Sequence, residues 1–434
     1  MKKRITIAII GQGGREAALV HKYSASPQIN KIIAIPGNSL MEINSKVPVK
    51  IFPKIKSTAR KKIAQICKTH NVKYVDVAQD DAIEAGVTDA LEKEGFSVFG
   101  PTRIAGQIEW DKAWARNFMK KYKLPIPKYK VFNSEKDGIS FIMKASNKKW
   151  FIKAAGLAAG KGVIPAMDKN EAIAAIKQMS QFGTSGKTFV IEEKLEGEEF
   201  SMFAVADTKS FKIIGSAQDH KRLYNGDQGP NTGGMGANSP VSIVDKKIYA
   251  QAKLIIGRAL NGLKKEGRPY RGILYLGAIV VKKKVFIIEF NSRWGDPEAE
   301  VIIPGIKNDL LEIGMNAIKS TLDNMNIKTD NKFRISISGS MLTKGHGKRR
   351  IYGLKHALET KSVTIYNSRV SKSKNGYFAS PGRLFHLVAS GKNITETRKK
   401  AYEAMSSIYI KGNCLHYRTD IGWRDMERLG DDIV

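Results

Sequence analysis

Apolar runs and amphipathic stretches alternate from the first residues of the chain. Residues 5–10 are apolar apart from Thr6 and predict a buried strand, since a strand covered on both faces carries a near-continuous apolar run. A helix over 16–24, a strand over 31–35 closed by Pro36-Gly37-Asn38, a helix over 58–70, a strand over 74–78, a helix over 82–94 and a strand over 96–99 follow. This alternation predicts a doubly wound sheet, whose ligands sit beyond the carboxyl ends of the strands. Loops 11–16, 36–39 and 79–81 would therefore face a ligand.

Gly100-Pro101 marks a boundary. Beyond it the pattern predicts a helix over 109–122, a connector at Pro125 and Pro127, and strands over 150–154, 162–166 and 188–193. A helix over 245–266, strands over 272–281 and 285–290, and a helix over 309–322 come next. A last unit has strands over 333–338, 384–389 and 407–410 around a helix over 394–405.

At 434 residues the chain exceeds one ordinary core, and no window approaches the roughly 18 consecutive apolar residues of a membrane span. Met1-Lys2-Lys3-Arg4 and the run after it imitate a signal peptide, but the run is short and ends in Gly11-Gln12-Gly13-Gly14-Arg15 without a cleavage pattern. A cytoplasmic protein is expected. Cys67 and Cys414 lie far apart and indicate neither a disulfide framework nor a zinc site. The net charge of +32 suits either a polyanionic partner such as RNA or a lysine bias on solvated faces. The lysines are spread through nearly every segment, so the bias reading is preferred and no nucleic-acid partner is expected.

The chemistry centres on residues 289–298, directly after the apolar run 285–288. A strand that delivers Glu289 and Asn291 two residues apart puts both on one face, where a carboxylate and a carboxamide can hold a hard cation. Arg293 joins that face if the strand continues, and an arginine there would stabilise charge on a transferring phosphoryl group. The same residues also suit a strand end capping a turn before Pro297.

Gly11-Gln12-Gly13-Gly14-Arg15-Glu16 is not a dinucleotide fingerprint, since Glu16 stands at the sixth position and no acidic ribose ligand follows the second strand. Its glycines permit a small phosphate at a helix N-terminus, or a turn without ligand. Residues 153–162 are not a Walker A loop, because Gly162 replaces the metal-binding Ser or Thr; a glycine-rich hairpin over a triphosphate, with Lys153 on its strand, uses the same residue types. The acidic stretch 191–199 suits a hinge whose backbone meets adenine, or a solvated turn. The long polar loop through Asp219, His220, Lys221 and 227–236 carries function, since its fixed charges argue against disorder. His220 is assigned no proton-transfer role.

These parts resemble an ATP-grasp enzyme. Asp219-His220-Lys221-Arg222, the run 229–236, Gly295-Asp296-Pro297-Glu298 and Arg418-Thr419-Asp420-Ile421-Gly422 resemble the phosphoribosylamine–glycine ligase family of purine biosynthesis, over essentially the whole chain. The resemblance implies an α/β fold with a Rossmann-like N-terminal domain (1–101), a central ATP-grasp domain (102–330, hairpin lobe about 124–194) and a small α+β C-terminal domain (331–434). It implies ATP-driven ligation of glycine to 5-phosphoribosylamine, with Mg²⁺ or Mn²⁺ on Glu289 and Asn291. ATP would meet Lys112, Lys153, Gly156, Gly160, Lys161, Gly162, Glu192, Glu193, Leu195 and Glu199, with Arg293, Asp219 and Lys221 catalytic. The other substrates would meet Gly13, Gly14, Arg15, Glu16, Pro36, Gly37 and Asn38, and Asp227, Pro230, Asn231, Thr232, Gly233, Gly234, Met235, Asp296 and Pro297. The partners expected are these small molecules, with no membrane, and a monomer.

The chain departs from the family pattern. Ala17 stands for His, Gln79-Asp80 for Pro-Glu, Ala155 for Asp, Asn238 for Tyr and Glu300 for Gln; Lys344-Gly345-His346-Gly347 replaces Gly-Tyr-Pro, and Pro381 opens the usual Gly-Gly-Arg. Several of these are expected where the amine or the amino acid binds. A relative joining another small acid to a phosphorylated amine, and an inactive RNA-binding protein on the ligase fold, are the alternatives; a bicarbonate-activating carboxylase is disfavoured by the central loop.

Overall fold

Five parallel strands open the molecule in the order Val49–Ile51, Ile29–Pro36, Ile5–Gly11, Val72–Val77, Ser97–Phe99. The computed structural model describes residues 4–146, 148–158, 160–342 and 347–429; Ala159 of the glycine-rich stretch and Lys344, Gly345 and His346 lie outside the described residues. Helices cover both faces of this sheet, so its central strands are mostly apolar and Ile7, Ile9, Ile32 and Val75 are fully buried, with Asp76 a buried carboxyl among them.

A four-stranded antiparallel sheet follows, ordered Tyr129–Phe132, Phe189–Glu193, Trp150–Ala154, Val163–Ala166. Its core packs against helices Glu135–Lys144 and Lys169–Lys177, whose N-caps Ser134 and Asp168 each accept from a backbone N–H. The largest sheet has nine strands, all antiparallel. It runs from Lys284–Asn291 through Arg271–Val281, Glu198–Asp207 and Phe211–Asp219 to the short strand Gly236–Ser239, and continues into Phe333–Met341 and Gly382–Gly391. The strand that carries Glu289 and the last part of the chain are thus joined by one hydrogen-bonded sheet, with Gly236–Ser239 as the link.

Two predicted helices are each two helices. Asp111 ends Arg103–Trp110 in an extended conformation and caps Lys112–Lys121 through Trp114 N–H at 2.9 Å. Gly86, at φ +73°, separates Asp80–Glu84 from Val87–Lys93; only a residue without Cβ takes that conformation cheaply. The predicted strand 407–410 is only Tyr409–Ile410, on a separate four-stranded sheet.

Candidate active site

A cleft of about 640 Å³ lies between the four-stranded sheet and the largest sheet. Glu289 and Asn291 share its floor, as alternation requires, but a bulge sets them there: Gly277 pairs with Glu289 while Ala278 pairs with Ile287, leaving Ile288 extra. Gly277 is bare for a reason, since a Cβ there would lie 3.3 Å from Glu289 Cγ. The displaced Ile288 carbonyl accepts from Arg116 Nη2 at 2.5 Å. The strand ends at Asn291, yet Arg293 still reaches back, with Nη2 3.2 Å from Asn291 Oδ1 and Nη1 3.1 Å from the Trp294 carbonyl.

Burial works against charge on Glu289, but Lys221, Lys112 and Lys153 outweigh it and hold the carboxyl below its usual range. Its hydrogen-bond donor is Asn291 Nδ2, at 3.4 Å. An ionised carboxylate with so little direct pairing fits a hard cation; Asn291 turns its Nδ2 to that carboxylate and its Oδ1 to Arg293, so its amide has to turn over to serve as a second ligand.

Lys153 is buried, and burial lowers its pKa against the pull of Glu192. Its Nζ lies 2.6 Å from Glu192 Oε1, while Arg116 Nε takes Glu192 Oε2 at 2.6 Å. The Glu192 side chain is therefore spent on two cations and is not free to meet a ligand. Lys112 donates to the Gly156 carbonyl at 3.4 Å. Gly160 and Gly162 line the cleft; Lys161 is exposed and does not. Glu193, Leu195 and Glu199 form the opposite rim, and Glu199 takes Lys221 Nζ at 3.1 Å.

Asp219, Asp227, Asn231, Thr232, Gly233 and Asp296 also line the cleft. Burial and the Glu298 carboxylate push Asp219 well above the carboxylate range. Asp227 is clasped by Arg418 at 2.8 Å and Arg424 at 2.5 Å, and Asp420 accepts from Gly226 N–H at 2.8 Å, so the 418–422 motif fastens the loop. His220 is buried, accepts from Gly422 N–H at 3.2 Å and is driven down to about 4 by burial and then Arg418, which suits a structural acceptor. Pro230 is exposed on the short strand Gln228–Asn231; Gly234, Met235 and Pro297 are buried behind the wall, where a Cβ on Gly234 would lie 2.4 Å from Pro297 Cδ.

The N-terminal turn stands differently. Gly13 N–H donates to Glu16 Oε2 at 2.5 Å and Arg15 N–H to Asp296 Oδ2 at 3.4 Å, so protein carboxylates fill the start of helix Gly14–Ser24. The Arg15 guanidinium is turned inward, onto Glu16 at 2.5 Å and the Trp294 carbonyl at 3.0 Å. Pro36 and Gly37 are buried, and Asn38 bonds Gln12 and Asn367 at 2.7–2.9 Å. None of these seven residues lines the cleft, although Asp80 of the neighbouring loop does.

Sequence reasoning passed over Glu109, Arg116 and Arg383. Glu109 Oε1 lies 2.8 Å from Arg293 Nη2, and its Oε2 accepts from Ser292 N–H and Oγ, each at 2.7 Å. Arg383 donates to the Gly234 and Asp296 carbonyls, each at 3.1 Å, and pairs with the Asp296 carboxylate. Burial opposes the Asp296 charge, but Arg383, His386 and Arg15 hold it well below the usual range. Such partners lie tens to hundreds of residues apart, and no local signal marks them. None of Ala17, Gln79, Ala155, Asn238 and Glu300 lines the cleft; Asn238 instead donates to Asp425 at 2.6 Å in the core.

A glycine-rich hairpin sheet facing a larger sheet, with a carboxylate, a carboxamide and gathered lysines between them, defines a ligase of the ATP-grasp class. Residues 5–109, 110–299 and 343–424 match the N, ATP-grasp (A) and C domains of phosphoribosylglycinamide synthetase. A phosphoribosylamine–glycine ligase of Streptococcus pneumoniae is 35% identical over 96% of this chain and 98% of its own length, and one of Caulobacter vibrioides is 34% identical over 98% and 100%. The crystal structure of the Thermotoga maritima phosphoribosylamine–glycine ligase superposes with a TM-score of 0.79 at 27% identity, covering 96% of this chain and all of that one. A Campylobacter jejuni biotin carboxylase, 16% identical with a TM-score of 0.72, shares the fold. The chain belongs to the phosphoribosylamine–glycine ligase family.

Proposed function

We propose that the protein joins glycine to 5-phosphoribosylamine at the expense of ATP, giving glycinamide ribonucleotide, ADP and phosphate in purine biosynthesis. The observation that carries this reading is the convergence of Lys112, Lys153, Lys221 and Arg293 on Glu289 and Asn291 within one cleft. In the first step a glycine carboxylate oxygen attacks the γ-phosphorus, the β–γ anhydride bond breaks, and ADP leaves. Lys153 and Lys112 sit under the glycine hairpin to take phosphate oxygens, and Arg293, oriented by Glu109, meets the charge that builds on the transferred group. Magnesium or manganese held by Glu289 and Asn291 would neutralise the phosphates there.

In the second step the amine nitrogen attacks the acyl carbon, phosphate leaves and the amine loses a proton. The fastened loop 219–236 excludes water from the acyl phosphate and holds the amine at reacting distance. Asp219, whose carboxyl burial and the Glu298 carboxylate make more basic than an ordinary aspartate, is the group that accepts that proton, and Lys221 holds phosphate charge beside it. Adenine lies along the backbone of 192–195 and ribose on Glu199. The phosphoribosyl group sits between Asp227, Asn231–Gly233 and Asp296, with the N-terminal turn behind Asp296. In this reading 102–330 is the catalytic unit and carries most of the amine's contacts, 1–101 supports them from behind Asp296, and 331–434 is the C-terminal unit. Among the described residues no helix is long and apolar enough to cross a membrane.

The test is ADP release with ATP and Mg²⁺, with glycine and phosphoribosylamine generated in place, each alone and together. Release that needs both, and vanishes in Glu289→Ala, supports the reading. Release with a different acid or amine, and none with this pair, overturns the substrate assignment and leaves the phosphoryl-transfer half.

A further inference from the structure

Behind the cleft wall, three side chains converge that the ligation steps do not use as a group. His386 Nε2 lies 3.1 Å from Asp296 Oδ1 and 3.6 Å from Glu300 Oε1, and the three atoms all lie within 4.8 Å of one another. His386 and Glu300 are fully buried. Both Glu300 oxygens and His386 Nε2 lack a hydrogen-bond partner.

His386 Nδ1 is held 3.0 Å from Ser338 Oγ, its direct cross-strand neighbour, which turns Nε2 toward the two carboxylates. Lone pairs that face one another in a dry space repel unless a positive charge sits among them. Arg383 already pairs with Asp296 Oδ1, and a proton on His386 would face that same oxygen, so both leave the buried Glu300 oxygens unpaired. A metal ion answers all three groups. Ligand bonds of roughly 2.0–2.2 Å in a tetrahedral shell set ligand atoms about 3.3–3.6 Å apart, close to the two spacings observed here.

The cluster also dictates its cover. A Cβ on Gly14 would lie 2.3 Å from His386 Cδ2 and 2.5 Å from Glu300 Oε1, so the N-terminal turn closes over the site only as glycine.

We infer that Asp296, Glu300 and His386 form a binding site for a zinc-class divalent cation, separate from the nucleotide-bound metal of the cleft. One imidazole and two carboxylates suit zinc or cobalt better than magnesium, which takes oxygen ligands. The ion fastens the Asp296 loop, helix Glu298–Ile302 and strand Gly382–Gly391 together under the Gly13-Gly14 turn, and so fixes the wall residue Asp296.

The test is elemental analysis of untagged full-length protein dialysed against zinc and then against metal-free buffer. One zinc per chain is expected, resistant to excess magnesium, and cobalt added to stripped wild-type protein should give the visible absorption of a four-coordinate site. Glu300→Gln and His386→Gln should lose both signals, while Glu289→Ala keeps them. Ser338→Ala should retain the spectrum and bind roughly 10–100-fold more weakly. Background zinc and no visible cobalt band in wild-type protein would overturn the inference, as would unchanged metal content in Glu300→Gln and His386→Gln. These readouts do not involve turnover, so they stand or fall apart from the ligase reading.

Discussion

Glu109 is the residue whose replacement examines the site most directly. Its Oε2 takes both donors of Ser292 at 2.7 Å and its Oε1 takes Arg293 Nη2 at 2.8 Å, so one carboxylate fixes the strand end and aims the guanidinium. In Glu109→Gln one oxygen becomes an NH₂ group, and whichever end it occupies it faces a donor. One charge-assisted bond is lost and a donor–donor contact replaces it, at a cost of about 2–3 kcal/mol. If Arg293 acts chiefly on the transferring phosphoryl group, that cost appears in the transition state as a fall in kcat of roughly 30–160-fold. The KM for ATP should move little. The assay is coupled ADP release at saturating substrates, run on Glu109→Gln, Arg293→Lys and the double variant. Because Glu109 acts through Arg293, the double variant should be no worse than Arg293→Lys. Wild-type kcat in Glu109→Gln, or fully additive losses, would refute the argument.

The pH dependence of stability offers a second check. His220 has its pKa driven from 6.5 to about 4 by burial and by Arg418, so the unfolded chain takes up the proton first. The stability is present above 6.5 and drains away as pH falls toward 4, by about 3 kcal/mol at most. Chemical denaturation of His220→Gln should lack that component, and an identical slope in both proteins would count against it. Asp219 has its pKa raised by burial and Glu298, so kcat should fall as pH drops through a value above the ordinary aspartate range. Asp219→Asn should be slow with no such acid limb; a retained limb would assign it to another group. Asp227→Asn weakens the clasp of Arg418 and Arg424; since Asp227 and Arg424 are partly exposed and the buried Arg418 keeps Asp420, the loss is about 1 kcal/mol, or roughly fivefold in KM for the amine, read from initial rates.

Much of the site was legible because it is built locally. The period-two spacing of Glu289 and Asn291 needs only a strand, and the strand was plain from the apolar run before it. Asp111 is a residue type favoured at helix N-caps, yet the sequence predicts one helix over 109–122 through it, because the apolar pattern continues across the break. The bulge at Ile288 was not legible either, because a register shift depends on the partner strand. The filling of the N-terminal turn by Asp296 was hidden for the same reason: 281 residues separate Arg15 from its acceptor. A glycine turn at a helix start looks like a free anion site until the fold supplies its own carboxylate.

The charge of the chain takes on a different meaning at the cleft. The chain carries +32, yet eleven Asp and Glu residues and seven Lys and Arg residues line the cleft, an excess of four formal negative charges. The basic excess therefore lies elsewhere on the molecule, and the cleft is poorly suited to a bare polyanion. A triphosphate entering alone would meet Glu289, Asp80 and Glu199 with only local lysines to offset them. Accompanied by a divalent cation, it brings the charge that the wall lacks. Nucleotide binding should consequently depend on the metal more than on the lysines: calorimetric titration with ATP should lose most of its affinity in chelator, and Glu289→Ala should bind metal-free ATP no worse than the wild type. Equal affinity with and without the metal would show that the lysines suffice and that the acidic excess is screened from the phosphates.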